Sequence, residues 1–511
     1  MSTEKKNRIL IFLFVFVFAY LVNLANIKYG QVGVNSNELV FGSTLWSPDN
    51  AWYLPQIKNF MAGEGFTSDP TDLLRSVRRT PGYPIFYGMH YVIFGEYLAH
   101  KIITITQCII FALSAVAIGI IGGGLAKNIR LGYFISLSYG TSLYLISFLF
   151  LTITESVSPA FIIFSLYLYY KAIIFSKRQK SYLFLAAVMA SIATLIRPTN
   201  GLILVVFIFA LPFYEKKIHS LMKKYILILI GFIILFIPWT IRNFLIFDRF
   251  IPLETYSVQL PFDGQGLKSG GLNFWYSSWA AHDTLKLHYG MLADLSSVNR
   301  YRTINDFLES EVPLSVYVGY NRDELKQTFI DYQTCIDYDL KRNDGNRLKW
   351  GEVPHQCEYD VNAKFLSYAE NIRKENSFLA YFLAPIIYRG SKYIFHSGMH
   401  TFKSMQGNHL GIVGMVVKSY AYITNILLWF LSILFIFSRV IIAKKFLISS
   451  FFVLTFLFIT YNFHVEGRYL LSAYPFMYVM SCMCCFELLK SRRVGISLRR
   501  AYSVFTQTHR R

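Results

Sequence analysis

Long apolar runs constrain this chain more than any other feature, because about 20 consecutive apolar residues match the hydrocarbon thickness of a bilayer. Ten such runs recur along the 511 residues, approximately Ile9–Ala25, Lys101–Gly123, Leu131–Leu151, Pro159–Phe175, Tyr182–Ile196, Leu202–Phe213, Tyr225–Trp239, His409–Phe437, Phe446–Tyr461 and Tyr469–Leu489. Some fall short of a full span, so flanking loop residues must complete them. Only 16% of the residues are charged and 54% are hydrophobic. Soluble chains carry about 25% charge, so the apolar excess belongs in lipid rather than in a large soluble core. The expected fold is an all-α polytopic membrane protein with about ten or more transmembrane helices. The first run follows Lys5, Lys6 and Arg8. It is longer than the apolar stretch of about 7–15 residues in a signal peptide, and no clear A-x-A site follows it. It reads as an uncleaved span.

The net charge is +20, from 50 Lys plus Arg against 30 Asp plus Glu. These cations sit in short clusters between the apolar runs: Lys127 with Arg130, then Lys171 to Lys180, Lys216 to Lys224, and Arg439 to Lys445. A basic tail from Arg492 to Arg511 ends the chain. Membrane topology explains this pattern better than a nucleic-acid partner does. With every cluster in the cytoplasm, ten spans leave both termini inside and two long connectors outside. These run from Asn26 to about His100 and from Asn243 to about Asn408. Three regions result: an N-terminal transmembrane module (1–242) carrying the first external loop (26–100), an extracytoplasmic loop domain of mixed or unknown structure (243–408), and C-terminal helices with the basic tail (409–511). The setting is a plasma (inner) membrane. Pro84 to Phe94 is apolar and aromatic but too short to span, so it reads as interfacial or re-entrant. Phe378 to Phe395 fits an amphipathic helix lying on the membrane. Cys335 and Cys357 share the second connector, where a disulfide is expected if that side is oxidising; two free thiols are the alternative. The other four cysteines fall in apolar runs and read as small hydrophobes.

On this topology the ionisable residues embedded in apolar sequence converge on the outer side. Asp49 lies in SPDNAWY of the first loop and Glu155 in LTITESVSP. Arg197 lies in LIRPTNG, Arg242 in PWTIRNF, and His464, Glu466 and Arg468 in FHVEGRYL. Such residues are costly near lipid and tend to be functional. Two carboxylates with several cations suit a phosphate or pyrophosphate ligand beside a general base or metal ligand. Each has a structural alternative. Asp49 would cap a helix starting near Ala51. Glu155 would pair with a span-end arginine. Arg197 and Arg242 would snorkel at the interface, and His464 would be an exposed loop histidine. Tyr83, Tyr469 and Tyr474 would belong to an aromatic belt.

The same residues carry a family resemblance. The chain resembles GT-C fold glycosyltransferases that use a polyprenyl-phosphate-linked sugar, in particular the protein mannosyltransferase and aminoarabinose transferase group of bacterial membrane enzymes. The matching segments are the acidic loop around Asp49, RRTPGYPIFY at Arg78 to Tyr87, and ITES at Ile153 to Ser156. They continue with IRPTNGL at Ile196 to Leu202, PWTIRNF…FIPL at Pro238 to Leu253, and EGRYLLSAYP at Glu466 to Pro475. Residues from about Gly270 to Ser377 show no family motif. The resemblance implies a GT-C-like fold with Asp49 as catalytic base and Glu155 as a second acid. It makes Arg197, Arg242 and Arg468 candidate ligands of the lipid phosphate; Arg78, Arg79, Tyr83, His464 and Glu466 complete the substrate-binding set. Many relatives have two adjacent acids in the first loop, and here the second position is Asn50. That removes a carboxylate ligand, so the cofactor expectation is none, with a divalent metal as the alternative.

The implied activity is inverting transfer of a hexosyl or pentosyl group from a polyprenyl-phosphate sugar to an acceptor hydroxyl on a protein, lipid or polysaccharide. Mannose, aminoarabinose, arabinose and galactose are all compatible. A transporter or flippase of a lipid-linked sugar is the rival. The unequal split of seven spans before the large loop and three after it, with no internal repeat, argues against two transporter halves. A non-catalytic receptor or assembly protein would leave the acid and arginine pattern unexplained.

Overall fold

The computed structural model describes residues 2–30, 40–41, 43–45, 47, 49–70, 76–174, 178–248, 250–253, 266–279, 304–310, 312–342, 355–375, 383–395, 411–438, 440–462 and 467–490. The chain is an integral membrane protein built almost wholly of helices. Helix α1 (Thr3–Gly30) leads to a two-stranded ladder, β1 (Val40–Phe41) and β2 (Thr44–Leu45), then to short helices α2 (Asn50–Tyr53) and α3 (Pro55–Met61). Helix α4 (Gly82–Ala126) is followed by α5 (Ile129–Gly140), the single turn α6 (Leu143–Ile146), α7 (Ser158–Ile174), α8 (Gln179–Ile196) and α9 (Leu202–Ala210). Helices α10 (Ile218–Ile233) and α11 (Phe236–Phe247) meet at a bend of 52°.

Among the described residues, six helices are long and apolar enough to cross a membrane, or seven if the bent α10–α11 pair counts as one span. The sequence pattern suggested ten. The difference arises where apolar runs break. The run Leu131–Leu151 ends its helix at Gly140 and resumes for one turn only. Helix α7 has 17 residues, about 26 Å at 1.5 Å per residue, against a hydrocarbon core of about 30 Å. Pro212 interrupts the run after α9 with a 3₁₀ turn. The short apolar stretch 84–94 is the first limb of α4. Gly95, at φ +70°, is the one non-helical residue inside that helix and separates the two limbs. A side chain is disfavoured in that left-handed conformation.

Close helix crossings hold the bundle. A Cβ on Gly119 would come within 2.4 Å of the Gly132 carbonyl oxygen, and one on Gly132 within 2.6 Å of the Gly119 oxygen. Helices α4 and α5 therefore touch backbone to backbone, the small-residue contact by which helices associate in lipid.

The second long connector folds as a helical unit, α12 (Gly266–Trp279), α13 (Ile304–Ser310), α14 (Arg322–Arg342) and α15 (Gln356–Glu375). Its structure was open from sequence; it has its own aromatic core around Trp275, Phe329 and Phe365. The Trp275 indole donates to the Tyr320 hydroxyl at 2.9 Å. A disulfide joins Cys335 on α14 to Cys357 on α15. Helix α16 (Ala384–Ile394) occupies most of the stretch expected to lie on the membrane, and it packs on α18. The remaining helices are α17 (Gly411–Ile436), α18 (Ile442–Asn462) and α19 (Arg468–Lys490), the last entered through 3₁₀ turns at Gly467–Ala473. Buried Arg389 of α16 donates to the Thr460 carbonyl at 2.8 Å, satisfying one of the orphan oxygens at the end of α18.

The sequence separation of 22 across the disulfide implies a chain-entropy stabilisation of about 3 kcal/mol. Cys357→Ser should lower the unfolding midpoint of the helical unit accordingly, and alkylation of unfolded, unreduced protein should block four cysteines in the parent chain and five in the variant.

Candidate active site

Residues 144–160 are buried throughout, yet between α6 and α7 they are not α-helical. Irregular backbone at membrane depth is tolerated only where protein groups satisfy it, and three elements do so. Asn23 of α1 donates to the Ile146 carbonyl at 3.0 Å. Gln107 of α4 donates to Leu149 at 2.6 Å and Leu151 at 3.3 Å. The Leu45 amide of β2 donates to Phe150 at 2.7 Å, and Leu45 forms a parallel bridge with Leu151. Asp49 lies four residues beyond Leu45 and Glu155 four beyond Leu151. One parallel contact thus brings the two acids of the first loop and the buried turn to the same place.

A second junction fixes the cations. Asn200 donates to Ser158 at 2.7 Å, and the Ser158 and Ser472 hydroxyls lie 2.8 Å apart. Asn200 also holds the Ala193 carbonyl at 2.8 Å. These residues stand three or four positions after Glu155, Arg197 and Arg468 respectively, so the three chain segments are tied just behind their charged groups. Arg197 terminates α8 in extended conformation (φ −151°, ψ 116°), the geometry that the following Pro198 favours. A Cβ on Gly82 would lie 2.5 Å from the Ile196 nitrogen, so only glycine lets the start of α4 rest on the end of α8.

Asp49 stands at the N-cap position of α2, but its backbone is helical and its side chain makes no capping bond. The carboxylate turns instead to Arg468, whose Nη1 donates to Oδ2. The other oxygen, Oδ1, accepts no hydrogen bond among the described residues, and the side chain is 24% exposed. Glu155 is 5% exposed. Its Oε1 lies 2.9 Å from Arg197 Nη1 and 3.8 Å from Arg468 Nε, and its Oε2 accepts from the Thr154 hydroxyl at 2.8 Å. Burial makes this charge costly, and Arg197, Arg468 and the Thr154 hydroxyl are the partners that offset the cost. Glu155 is therefore a fixed anion that anchors two arginines, whereas Asp49 keeps an open oxygen. The charges balance two against two, with Arg468 shared between both acids.

Tyr469 packs beside the arginines. Its ring lies 5.2 Å from the Arg197 guanidinium and 5.7 Å from that of Arg468, so both cations gain a π face. Tyr474 is buried, its hydroxyl donating to Asn425 Oδ1 at 2.9 Å. Buried Tyr83 packs on Tyr53 of α2 at 5.5 Å between ring centroids. Arg78 and Arg79 lie over the Trp52 ring at 6.0 and 5.6 Å, on the helix that Asp49 precedes. Arg242 is placed differently from the sequence expectation. Its guanidinium donates to the carbonyls of Ser76 and Phe66 at 3.0 Å each and to Asn243 Oδ1 at 2.7 Å, over the Trp239 ring. It clamps the first loop rather than joining the acid pair. His464 and Glu466 lie outside the described residues. Sequence reasoning missed Gln107, a single amide in an apolar run, and it passed over Asn200 and Trp52, uncharged residues beside the charged ones in LIRPTNG and SPDNAWY.

The described residues do not fit a divalent cation at this point. Both carboxylates already face a guanidinium, and Asp49 Oδ1 with the Asn50 side chain supplies too few oxygen donors. No group of three or more His, Cys, Asp or Glu that could hold a metal occurs among the described residues.

No protein-family model and no curated protein sequence matches this chain. Among solved structures it is similar to an Archaeoglobus fulgidus oligosaccharyltransferase in the apo form, at 12% identity and a TM-score of 0.38, over 85% of this chain and 59% of that one. It is also similar to ArnT from Cupriavidus metallidurans bound to undecaprenyl phosphate, at 12% identity and a TM-score of 0.30, over 90% of this chain and 77% of that one. The chain thus spans less than two thirds of the archaeal protein's length. Its chemistry is read from its own side chains.

Removing the Glu155 charge leaves two guanidinium groups against one acid, and breaking a buried pair costs about 3–5 kcal/mol. Glu155→Gln should lower the unfolding midpoint in detergent by a corresponding amount.

Proposed function

We propose that this chain is a membrane glycosyltransferase that moves a hexosyl or pentosyl group from a polyprenyl-phosphate donor to an acceptor hydroxyl, with inversion at the anomeric carbon. The single observation that carries the reading is the Arg468 guanidinium shared between Asp49 and Glu155. It sets an open carboxylate oxygen beside a pair of arginines, so a base and an anion site adjoin. The motif resemblance along the chain points the same way.

In this mechanism the leaving phosphate takes Arg468 from Asp49 and shares it with Arg197, both held in place by Glu155. Arg78 and Arg79 add positive charge at the rim of the first loop. The freed Asp49 carboxylate accepts the proton of the acceptor hydroxyl. The hydroxyl oxygen forms its bond to the anomeric carbon from one face, while the bond to the phosphate oxygen breaks on the other. The electron pair departs on polyprenyl phosphate. That product is already a competent leaving group, so the main task of the protein is to stabilise its developing charge in a site with little water. The acceptor is a hydroxyl of a protein, lipid or polysaccharide. On this reading the site lies on the extracytoplasmic face of a plasma (inner) membrane, a side that the alternating basic clusters support.

Purified protein incubated with a polyprenyl-phospho-sugar and an acceptor should form glycosylated product and free polyprenyl phosphate. Asp49→Asn should reduce turnover by about 10²–10⁴-fold, the usual contribution of a general base, with donor binding retained. Full turnover in that variant would remove Asp49 from the mechanism. Passage of intact donor between leaflets without sugar release would instead mark a flippase.

A further inference from the structure

We infer that Gln107 is the positioning residue that sets Glu155 against Asp49; its catalytic part rests on the transferase reading above. Gln107 is fully buried in the middle of α4, and all four hydrogen-bonding positions of its amide are used. The nitrogen donates to the Leu149 and Leu151 carbonyls at 2.6 and 3.3 Å. The oxygen receives the Ser156 hydroxyl at 2.5 Å and the Tyr83 hydroxyl at 3.1 Å. These partners fix the orientation of the amide, because carbonyls can only accept and the amide nitrogen can only donate.

Each contact leads to the site. Leu151 is the residue bridged to Leu45, four positions before Asp49 on the paired strand. Ser156 is the neighbour of Glu155, and its hydroxyl also lies 2.7 Å from the Ile153 carbonyl, closing the turn that carries the acid. Tyr83 stands on the far side of the Gly95 bend from Gln107 and packs on Tyr53 of the helix that Asp49 precedes. One side chain therefore grips the buried turn at both ends and links it to the loop of the proposed base. Asparagine is one methylene too short for all four partners, and glutamate would set an acceptor against two carbonyls. The residue nevertheless touches neither acid directly, so its influence on the reaction passes through the backbone it holds.

Gln107→Met keeps the length and approximate volume of the side chain while removing every one of these bonds. Hydrogen exchange read by mass spectrometry should show the amides of 149–157 exchanging at least about tenfold faster than in the parent chain, with α17 and α18 unchanged. Turnover should fall about 10- to 100-fold, the scale of an ångström-sized misplacement, while KM for the donor stays within about threefold. Ser156→Ala, which deletes one hydroxyl, should shift exchange and turnover in the same direction by less, and it serves if the methionine variant does not fold. Unchanged exchange in 149–157 would overturn the inference, as would faster exchange with full turnover or a loss confined to KM. If the parent chain transfers no sugar, the transferase reading falls, and exchange alone decides whether Gln107 places the turn.

Discussion

A stretch of irregular backbone buried within a membrane protein has no water to satisfy it, and much of this structure follows from meeting that requirement. The apolar run that begins in α5 breaks its helix at Gly140, makes the single turn α6 and is then irregular up to α7. Its carbonyls would each be costly in isolation. Asn23, Gln107 and the edge of β2 approach to supply donors. In doing so they draw α1, α4 and the first loop around one turn. The acid on that turn and the acid on the loop become neighbours as a result, without either needing to attract the other across a distance.

The electrostatics then divide the labour. Glu155 is enclosed and fully engaged, with Arg197, Arg468 and Thr154 around it. A buried ion pair of this kind adds little stability relative to apolar packing; its use is to hold two guanidinium groups at fixed positions. Asp49 is more open and is bound through one oxygen. Arg468 belongs to both, so a competing anion would act on both acids through a single group.

Much of this was legible in the sequence. Asp49, Glu155, Arg197 and Arg468 stand out because charge is scarce in apolar surroundings, and a chain does not place it there without a partner or a role. What sequence could not convey was which partner. Arg242 looked equivalent to Arg197, but its guanidinium is taken by the carbonyls of Ser76 and Phe66, and backbone acceptors leave no mark on a pattern of side chains. Tyr469 and Tyr474 looked like interfacial aromatics because their tolerance for two environments hides which one they occupy. The span count exceeded the number of long helices because hydropathy registers burial, whether the buried backbone is helical or not. Gln107 escaped notice for a related reason: one amide in an apolar helix reads as an accident until its four partners are seen.

The parallel contact between Leu45 and Leu151 also bears on how such a sequence can vary. Asp49 and Glu155 both follow it in sequence, each four residues after its member of the bridge. Substitutions nearby alter side chains and leave that count intact. Inserting or deleting one residue between either member of the bridge and its acid would shift that acid relative to the other. Diversification of this loop is therefore open to replacement and closed to changes in length, a restriction imposed by bookkeeping of register rather than by the chemistry of any single residue.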